Sequence, residues 1–362
     1  MALAHSPKIV TDGLVFMYDT GDGKSYKGEP TTNLITNSGT SNTGWVGYGW
    51  TGSQAIRNDY PNTYEFTATN GWHNRTFDTG VTSGGTIYVS FQYKLKQQQT
   101  SQNQIFVLNG THLGSYTNYI GNGSMSFEWQ TFSGSFTANA NSSKIAIGPR
   151  GQDSSGLTDI VYIRNLQVEQ KPHATPFVNG TRSATQGLLD RTGNTTIDLS
   201  NASFDSSAQM TFDGTDDIIN TGLFSGRNPS TDPFTVEAVV RSDVTSGNKI
   251  WIDATSNGSN QRFYSALIDS TSHAIGIQGS AWSDPVPSDT NWHHQVIVMD
   301  GSTAKAYNNG ELASSKSYTS YTLAGGLNIG GRSGYRWVGQ IPIFKLYNKA
   351  LTASEVLQNY NA

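Results

Sequence analysis

The chain contains no cysteine. Disulfides, thiolate zinc sites and thiol nucleophiles are excluded together, so stability has to come from packing. Charge is also scarce, at 14% Asp, Glu, Lys and Arg against roughly 25% in ordinary soluble domains. The net charge is -4 and no Lys/Arg cluster occurs, so the electrostatic footprint of a nucleic-acid binder is missing. No apolar run approaches the roughly 18 residues needed to cross a bilayer as a helix, and membrane insertion is not expected. The opening residues, MALAHSPKIVTDG, lack a basic segment followed by an apolar core, so no secretory signal is read there and folding in a cytosol is the expectation. What the chain does have is 39 glycines among abundant Ser, Thr and Asn. Its surface is carried by amides and hydroxyls. At 362 residues two domains, each with its own core, are expected.

The stretch NWHHQVIVMDGSTAKAYNNGEL, 291–312, organises the reading. Trp292 to Met299 is a run of aromatic and branched residues suited to a buried pleated surface, and it stops at Asp300-Gly301. A second run, Ala304 to Tyr307, stops at Asn308-Asn309-Gly310, where Asn-Gly supplies the positive φ angles of a tight hairpin. An antiparallel meander is predicted. This pattern resembles the laminin-G/concanavalin-like sandwich, in which a Trp-His-His strand leads through Asp-Gly to a Tyr-x-x-Gly-x-Leu hairpin. Leu327 to Gly331, Val338 to Ile341 and Phe344 to Tyr347, followed by Asn348 to Glu355, are similar to the closing strands and short terminal helix of that family. Pro342 departs from it. Upstream, Phe212-Asp213-Gly214-Thr215-Asp216-Asp217 is similar to its early strand-turn signature.

Between Asn33 and Ser183 the composition changes to aromatics set among Gly, Thr and Asn. Strand-like runs at Thr86 to Leu95, Gln104 to Leu108, Phe127 to Phe136, Lys144 to Ile147 and Asp159 to Glu169 are separated by turn residues, the spacing of an all-β sandwich. Ile87, Val89, Phe91 and Tyr93 alternate onto one face. This half resembles jelly-roll carbohydrate-binding modules, through its Trp129 to Phe136 strand and its closing Tyr162 to Glu169 strand. Its tail, Ala174 to Ser183, resembles the exit of such modules in phage virion proteins. The short run Gly13 to Asp19 cannot stand alone. In the sandwich family the first strand commonly lies beside the last, so it is assigned to the C-terminal domain. The expected fold is all-β: two β-sandwich (jelly-roll) domains with one short C-terminal helix, divided as 1–32 (first strand of the C-terminal sandwich), 33–183 (inserted jelly roll) and 184–362 (laminin-G/concanavalin-like sandwich). The helix is predicted from the capping box Thr352-x-x-Glu355, with Val356, Leu357 and Tyr360 on its apolar face.

Chemistry is then weighed against packing. Glycoside hydrolases occur on such sandwiches and need paired carboxylates, but Glu29, Glu65, Glu128, Glu169, Glu237, Glu311 and Glu355 are scattered and the two-Glu strand signature is absent. No catalysis is expected. His293 and His294 point to opposite faces of a strand and cannot chelate one ion; the expectation is one buried and one at the surface. Asp213, Asp216 and Asp217 offer oxygens to a structural calcium, or cap their turn through local hydrogen bonds. Asp153 and Asp159 form a weaker pair of the same kind. No other cofactor is expected.

Aromatics carry the binding expectation, because sugar rings stack on exposed Trp and Tyr while amides and hydroxyls read their hydroxyls. Trp45, Tyr48 and Trp50 lie in a Gly-rich stretch read as irregular, and Trp72 follows; they line a glycan groove or plug the end of the sandwich. Trp282, Tyr335 and Trp337 sit beside loops in the second domain, whereas Trp251 and Trp292 are read as core. The resemblances together imply a non-catalytic virion surface protein of a phage, a fibre, spike or capsid decoration. Its implied partners are other virion proteins, copies of itself (a trimer favoured) and host-surface glycans. The alternatives are a bacterial extracellular glycan-binding protein and, less favoured, a polysaccharide hydrolase.

Overall fold

A computed structural model describes residues 8–48, 52–68, 74–97, 104–109, 116–120, 125–138, 144–150, 159–254, 263–269, 272–277, 280–284, 287–323 and 325–362. The chain is nearly all β, with one short helix at Ala353–Tyr360. It divides into two compact units: Met1–Glu29 with Ser183–Asp205 and Gln209–Ala362, and Pro30–Arg182 with Ser206–Ala208.

In the first unit, an eight-stranded sheet runs in the order Ser203–Phe204, Met210–Asp213, Val338–Tyr347, Phe234–Ser242, Trp292–Met299, Thr303–Asn308, Glu311–Ser317, with Leu14–Asp19 also paired to Val338–Tyr347. A six-stranded sheet opposes it, built from Ile219–Asn220, Asn328–Ile329, Lys249–Asp253, Phe263–Asp269, Ser272–Ile277 and Ser280–Asp284. Strand alternation fills the space between with Phe16 and Tyr18, Val236, Ala238 and Val240, Phe344 and Leu346, and from the facing sheet Trp251, Phe263 and Ile275. The meander has the turns its sequence predicts. Asp300 accepts the backbone N–H groups of Ser302 (3.0 Å) and Thr303 (2.7 Å), and Asn309 and Gly310 take φ +50° and +83°, the left-handed pair of a tight hairpin.

The helix is docked by a buried polar network. Thr352 caps it, accepting the Glu355 N–H, while the Glu355 carboxylate accepts from the Thr352 N–H at 2.8 Å. Its buried face is Val356 and Asn359, while Leu357 and Tyr360 are exposed, which corrects the expected apolar stripe. The reason lies beneath the helix. Asn359 Nδ2 donates to Glu237 Oε2 (2.6 Å) and to the Tyr347 hydroxyl oxygen (2.9 Å), and its Oδ1 accepts the Val10 N–H (2.7 Å). Glu237 Oε1 in turn accepts from Lys345 Nζ (2.6 Å) and pairs with His294 Nε2 (3.0 Å). Burial pushes the Glu237 carboxyl up, but the His294 hydrogen bond and the Lys345 charge outweigh it and leave it below its ordinary value.

The second unit has two five-stranded sheets: Gln130–Thr137, Thr86–Gln97, Asp159–Glu169, Thr63–Ala68, Gly52–Ile56 in one, and Trp45–Tyr48, Asn74–Asp78, Lys144–Arg150, Gln104–Asn109, Tyr116–Ile120 in the other. Ile87, Val89, Phe91 and Tyr93 alternate inward as predicted, against Tyr64, Phe66, Ile145, Ile147, Val161 and Ile163. The Gly-rich stretch read as irregular is instead a strand at Trp45–Tyr48, paired with Asn74–Asp78. Its glycine, Gly47, stands opposite Arg75, so the missing side chain is tolerated on an edge strand of the sheet.

Phe16 and Tyr18 are buried in the core of a unit whose other strands follow residue 203. Phe16→Ala should therefore cost about 3–5 kcal/mol of stability, the range for large-to-small changes at buried aromatics, measured by chemical denaturation. The isolated segment 184–362 should likewise be markedly less stable than the same residues in the full chain, and equal stability would show that Leu14–Asp19 contributes nothing.

Candidate functional site

The outward residues of the first sheet of the second unit, with two flanking turns, build a site from four separate segments. Inward alternation of Phe91, Tyr93 and Leu95 leaves Gln92, Lys94 and Lys96 on the outer face, and inward Val161 and Ile163 leave Tyr162 and Arg164 beside them. Tyr60 comes from the turn before Thr63–Ala68 and Trp129 from the residue before Gln130–Thr137. Tyr60 lies 6.1 Å from Trp129 and 5.6 Å from Tyr162, centroid to centroid. Lys94 Nζ stands 4.9, 5.0 and 5.8 Å from the rings of Tyr60, Trp129 and Tyr162. The Arg164 guanidinium lies 3.9 Å over Trp129, with Lys96 and Arg57 at 5.7 and 5.5 Å from Tyr162. Each such contact is worth about 0.5–1 kcal/mol at an exposed site.

Two carboxylates balance part of this charge. Glu65 accepts from Arg57 (3.0 Å) and Lys96 (3.2 Å), and Asp59 from Arg57 (2.6 Å). The Arg57 bond holds the Asp59 carboxyl below its usual value. Arg164 donates to the Gln92 side-chain oxygen at 2.8 Å, and among the described residues no carboxylate pairs with Lys94 or Arg164. The result is a ring-lined face with four cations against two carboxylates. Such a face can stack a sugar ring and attract an anionic substituent.

None of its aromatics was singled out from the sequence. The outward alternation of Gln92, Lys94 and Lys96, in register with Tyr162 and Arg164, was the available signal; the pairing that brings Trp129 and Tyr60 to it was not. The residues that were singled out lie elsewhere. Trp45 is buried, at 8% exposure, with its ring 5.9 Å from Tyr64 and 5.5 Å from Phe77. The alternation of its strand turns it inward while Val46 faces out, so of the two readings the packing one holds for Trp45. Trp50, Trp72 and Asp153 lie outside the described residues, and of Tyr48 and Trp282 only the backbone is described, in the strands Trp45–Tyr48 and Ser280–Asp284. Asp159 is buried at the start of its strand.

In the first unit Trp337 is 1% exposed and belongs to the core, which removes it as a stacking residue. Tyr335 stays at the surface, 4.9 Å from the Arg332 guanidinium. Trp251 is core, but Trp292 is 46% exposed: it heads a strand whose outward positions include it, and Arg241 covers its ring at 5.3 Å. His293 and His294 are both buried, contrary to the expectation of one at the surface. Each has its own acid, Asp289 for His293 (2.8 Å) and Glu237 for His294 (3.0 Å), in keeping with opposite faces.

The sandwich architecture, the meander and the capped helix agree with a known domain type. Residues 192–357 match the family model Laminin_G_3, of the concanavalin A-like lectin/glucanases superfamily. No curated protein matches the chain. Among solved structures the chain is similar to domain 4 of AbnA, a GH43 extracellular arabinanase from Geobacillus stearothermophilus, in complex with arabinotriose, at 16% identity, over 49% of this chain and 93% of that one, with a TM-score of 0.37. It is also similar to a sialidase CBM40 of Ruminococcus gnavus bound to α2,3-sialyllactose (15%, 35% and 80%, 0.30) and to the binding domain of botulinum neurotoxin serotype G (17%, 48% and 48%, 0.36).

In the laminin-G-like domain, Asp213, Asp216 and Asp217 bring carboxylate oxygens within 4.8 Å of one another. Their hydrogen bonds belong to the turn. Asp213 accepts the Thr215 N–H at 2.7 Å, and the buried Asp217 carboxylate accepts the Asp213 N–H. One oxygen of Asp213 and one of Asp217 are thus taken by backbone donors, the local capping this turn requires. Burial, with the Asp213 charge nearby, pushes the Asp217 carboxyl up to about 6.

Two outcomes follow from this geometry. Trp45→Ala should cost about 3–5 kcal/mol of stability, and any binding it loses should track unfolding in a melting curve. For Asp217 the folded value exceeds the ordinary 3.8, so its contribution is fully present below that value and is lost as pH rises through about 6. The stability of Asp217→Asn minus that of the parent should therefore increase between pH 4 and 6.5. A flat difference across that window would mean that Asp217 ionises normally.

Proposed function

We propose that the protein binds glycans without cleaving them, and that the outer jelly-roll face around Trp129 holds an acidic polysaccharide. One observation carries this reading: on the outer sheet face the half-buried rings of Tyr60 and Trp129 and the buried ring of Tyr162 are gathered under Lys94, Lys96, Arg57 and Arg164, and among the described residues Asp59 and Glu65 are the carboxylates paired with these cations. Aromatic faces meet the apolar faces of sugar rings, and the surplus cations meet carboxylate or sulfate groups. The match of residues 192–357 to a lectin/glucanase superfamily model supports the wider reading of glycan recognition.

The glutamates support binding over hydrolysis. Glu237 sits in a buried ion pair, Glu169 accepts from Thr31 and Thr175, Glu65 is paired to Arg57 and Lys96, and Glu355 caps the helix. The placing on a virion surface, among other virion proteins and as a trimer, draws on the resemblance of Ala174 to Ser183 to phage modules. Light scattering of the purified chain tests the trimer, and antibody labelling of phage particles tests the location.

The acidic-glycan reading is tested with alginate and hyaluronan as probes. Trp129→Ala and Lys94→Ala should each weaken binding about tenfold, which corresponds to about 1.4 kcal/mol, with an unchanged melting temperature. Binding by the parent should also fall with added salt, because exposed charge pairs are screened. Undiminished binding by both variants, or binding to neutral dextran of equal strength, would remove this face from the site. Release of new reducing ends from either probe would overturn the non-catalytic reading.

A further inference from the structure

The laminin-G-like unit has a second cleft, on the outer face of its eight-stranded sheet, that none of the binding described above uses. It has two lobes of about 460 and 360 Å³, which share Asp19, Trp292 and Ile343. The larger lobe lies between the outward residues of Leu14–Asp19, Val338–Tyr347, Phe234–Ser242 and Trp292–Met299 and the end of the C-terminal helix. Volumes of this size are those of small-ligand sites.

Its lining mixes one exposed aromatic with polar groups. Trp292, on the wall common to both lobes, offers an indole ring that is nearly half exposed. His294 and Asn309 line the deeper lobe, with Asp19 in both. His294 is 7% exposed, its Nε2 lies 3.0 Å from the Glu237 carboxylate, and its Nδ1 is buried, so the ring serves the ion pair beneath the lobe. The polar side chains that remain for a ligand in the larger lobe are those of Asp19 and Asn309.

The charges define the ligand further. Lys345 is neutralised by Glu237 at 2.6 Å, which leaves the Asp19 carboxylate as the unpaired side-chain charge among the described residues that line the cleft. Asp19 accepts the Gly21 N–H through Oδ1 at 2.8 Å, so Oδ2 remains to accept hydroxyls. An aromatic face, a carboxylate and an amide together suit an uncharged sugar ring and repel an anionic one.

We propose that this cleft is a second glycan site, which takes a neutral disaccharide with one ring in each lobe and the indole of Trp292 between them. It is independent of the jelly-roll face and selects the opposite charge class. The test uses the full ¹⁵N-labelled chain, in which the indole N–H resonance of Trp292 is assigned by its loss in Trp292→Phe. Cellobiose, maltose and lactose are titrated singly to about 10 mM, enough to populate a millimolar site. At least one should shift that resonance saturably, in Trp129→Ala as in the parent, and Asp19→Asn, which keeps the Gly21 acceptor, should weaken the effect about tenfold. Digalacturonate should leave it in place. A resonance unmoved by all three neutral sugars, or moved equally by digalacturonate, would overturn the proposal. Loss of the shift in Trp129→Ala would assign the binding to the jelly-roll face instead.

Discussion

The laminin-G-like unit depends on a buried carboxylate that cannot be left alone. Glu237 is almost wholly out of solvent, on a strand at the centre of the larger sheet, and an isolated charge there would cost several kcal/mol. Lys345 and His294 from the two neighbouring strands and Asn359 from the terminal helix all converge on it. Asn359 in turn holds the backbone of Val10, and Gln358 Nε2 donates to the Lys8 carbonyl oxygen at 2.6 Å. Satisfying one charge thus fixes the helix and the start of the chain on the sheet. The two buried halves of Asn359 and Val356, rather than a broad apolar stripe, set how the helix lies.

The same economy shapes the outer face of the jelly roll. Scarce charge leaves few groups to spend. Those of the jelly roll are concentrated where strand pairing sets Lys94, Arg164 and Lys96 against Tyr162 and Trp129. A bulge follows: Asn165 takes φ +52° and the pairing register with Thr86–Gln97 shifts between Arg164 and Gln167. Across it the inward set passes from the odd positions Val161 and Ile163 to the even positions Leu166 and Val168, so the strand lines the core along its length while Tyr162 and Arg164 face outward before the bulge.

Much of this architecture was legible from local chemistry. Asp300-Gly301 and Asn309-Gly310 fix their turns through hydrogen bonds and φ angles that no distant residue is needed to explain, and the Thr352/Glu355 box marks its helix in the same way. Side-chain direction in short or glycine-containing strands was less legible. Trp45 and Trp337 are buried and Trp292 is exposed because of which strand each one joins, and that is set by partners far along the chain. The aromatic face was least legible of all, since Tyr60, Trp129 and Tyr162 are neighbours only through pairings between strands far apart in sequence, such as Arg164 with Thr63 and Tyr93 with Gln130.

The pairing of Leu14–Asp19 with Val338–Tyr347 has a mechanical meaning. The strands are antiparallel, with Leu14 opposite Tyr347 and Asp19 opposite Ile343. Tension applied between the two chain termini pulls both strands from the same end, so their hydrogen bonds open one after another. Tension applied between the C-terminus and the segment that leaves Asp19 pulls them from opposite ends. All the ladder bonds then carry the load at once. A load entering through the jelly roll and leaving at the C-terminus would thus meet the first strand in shear, the direction in which a β-ladder resists most.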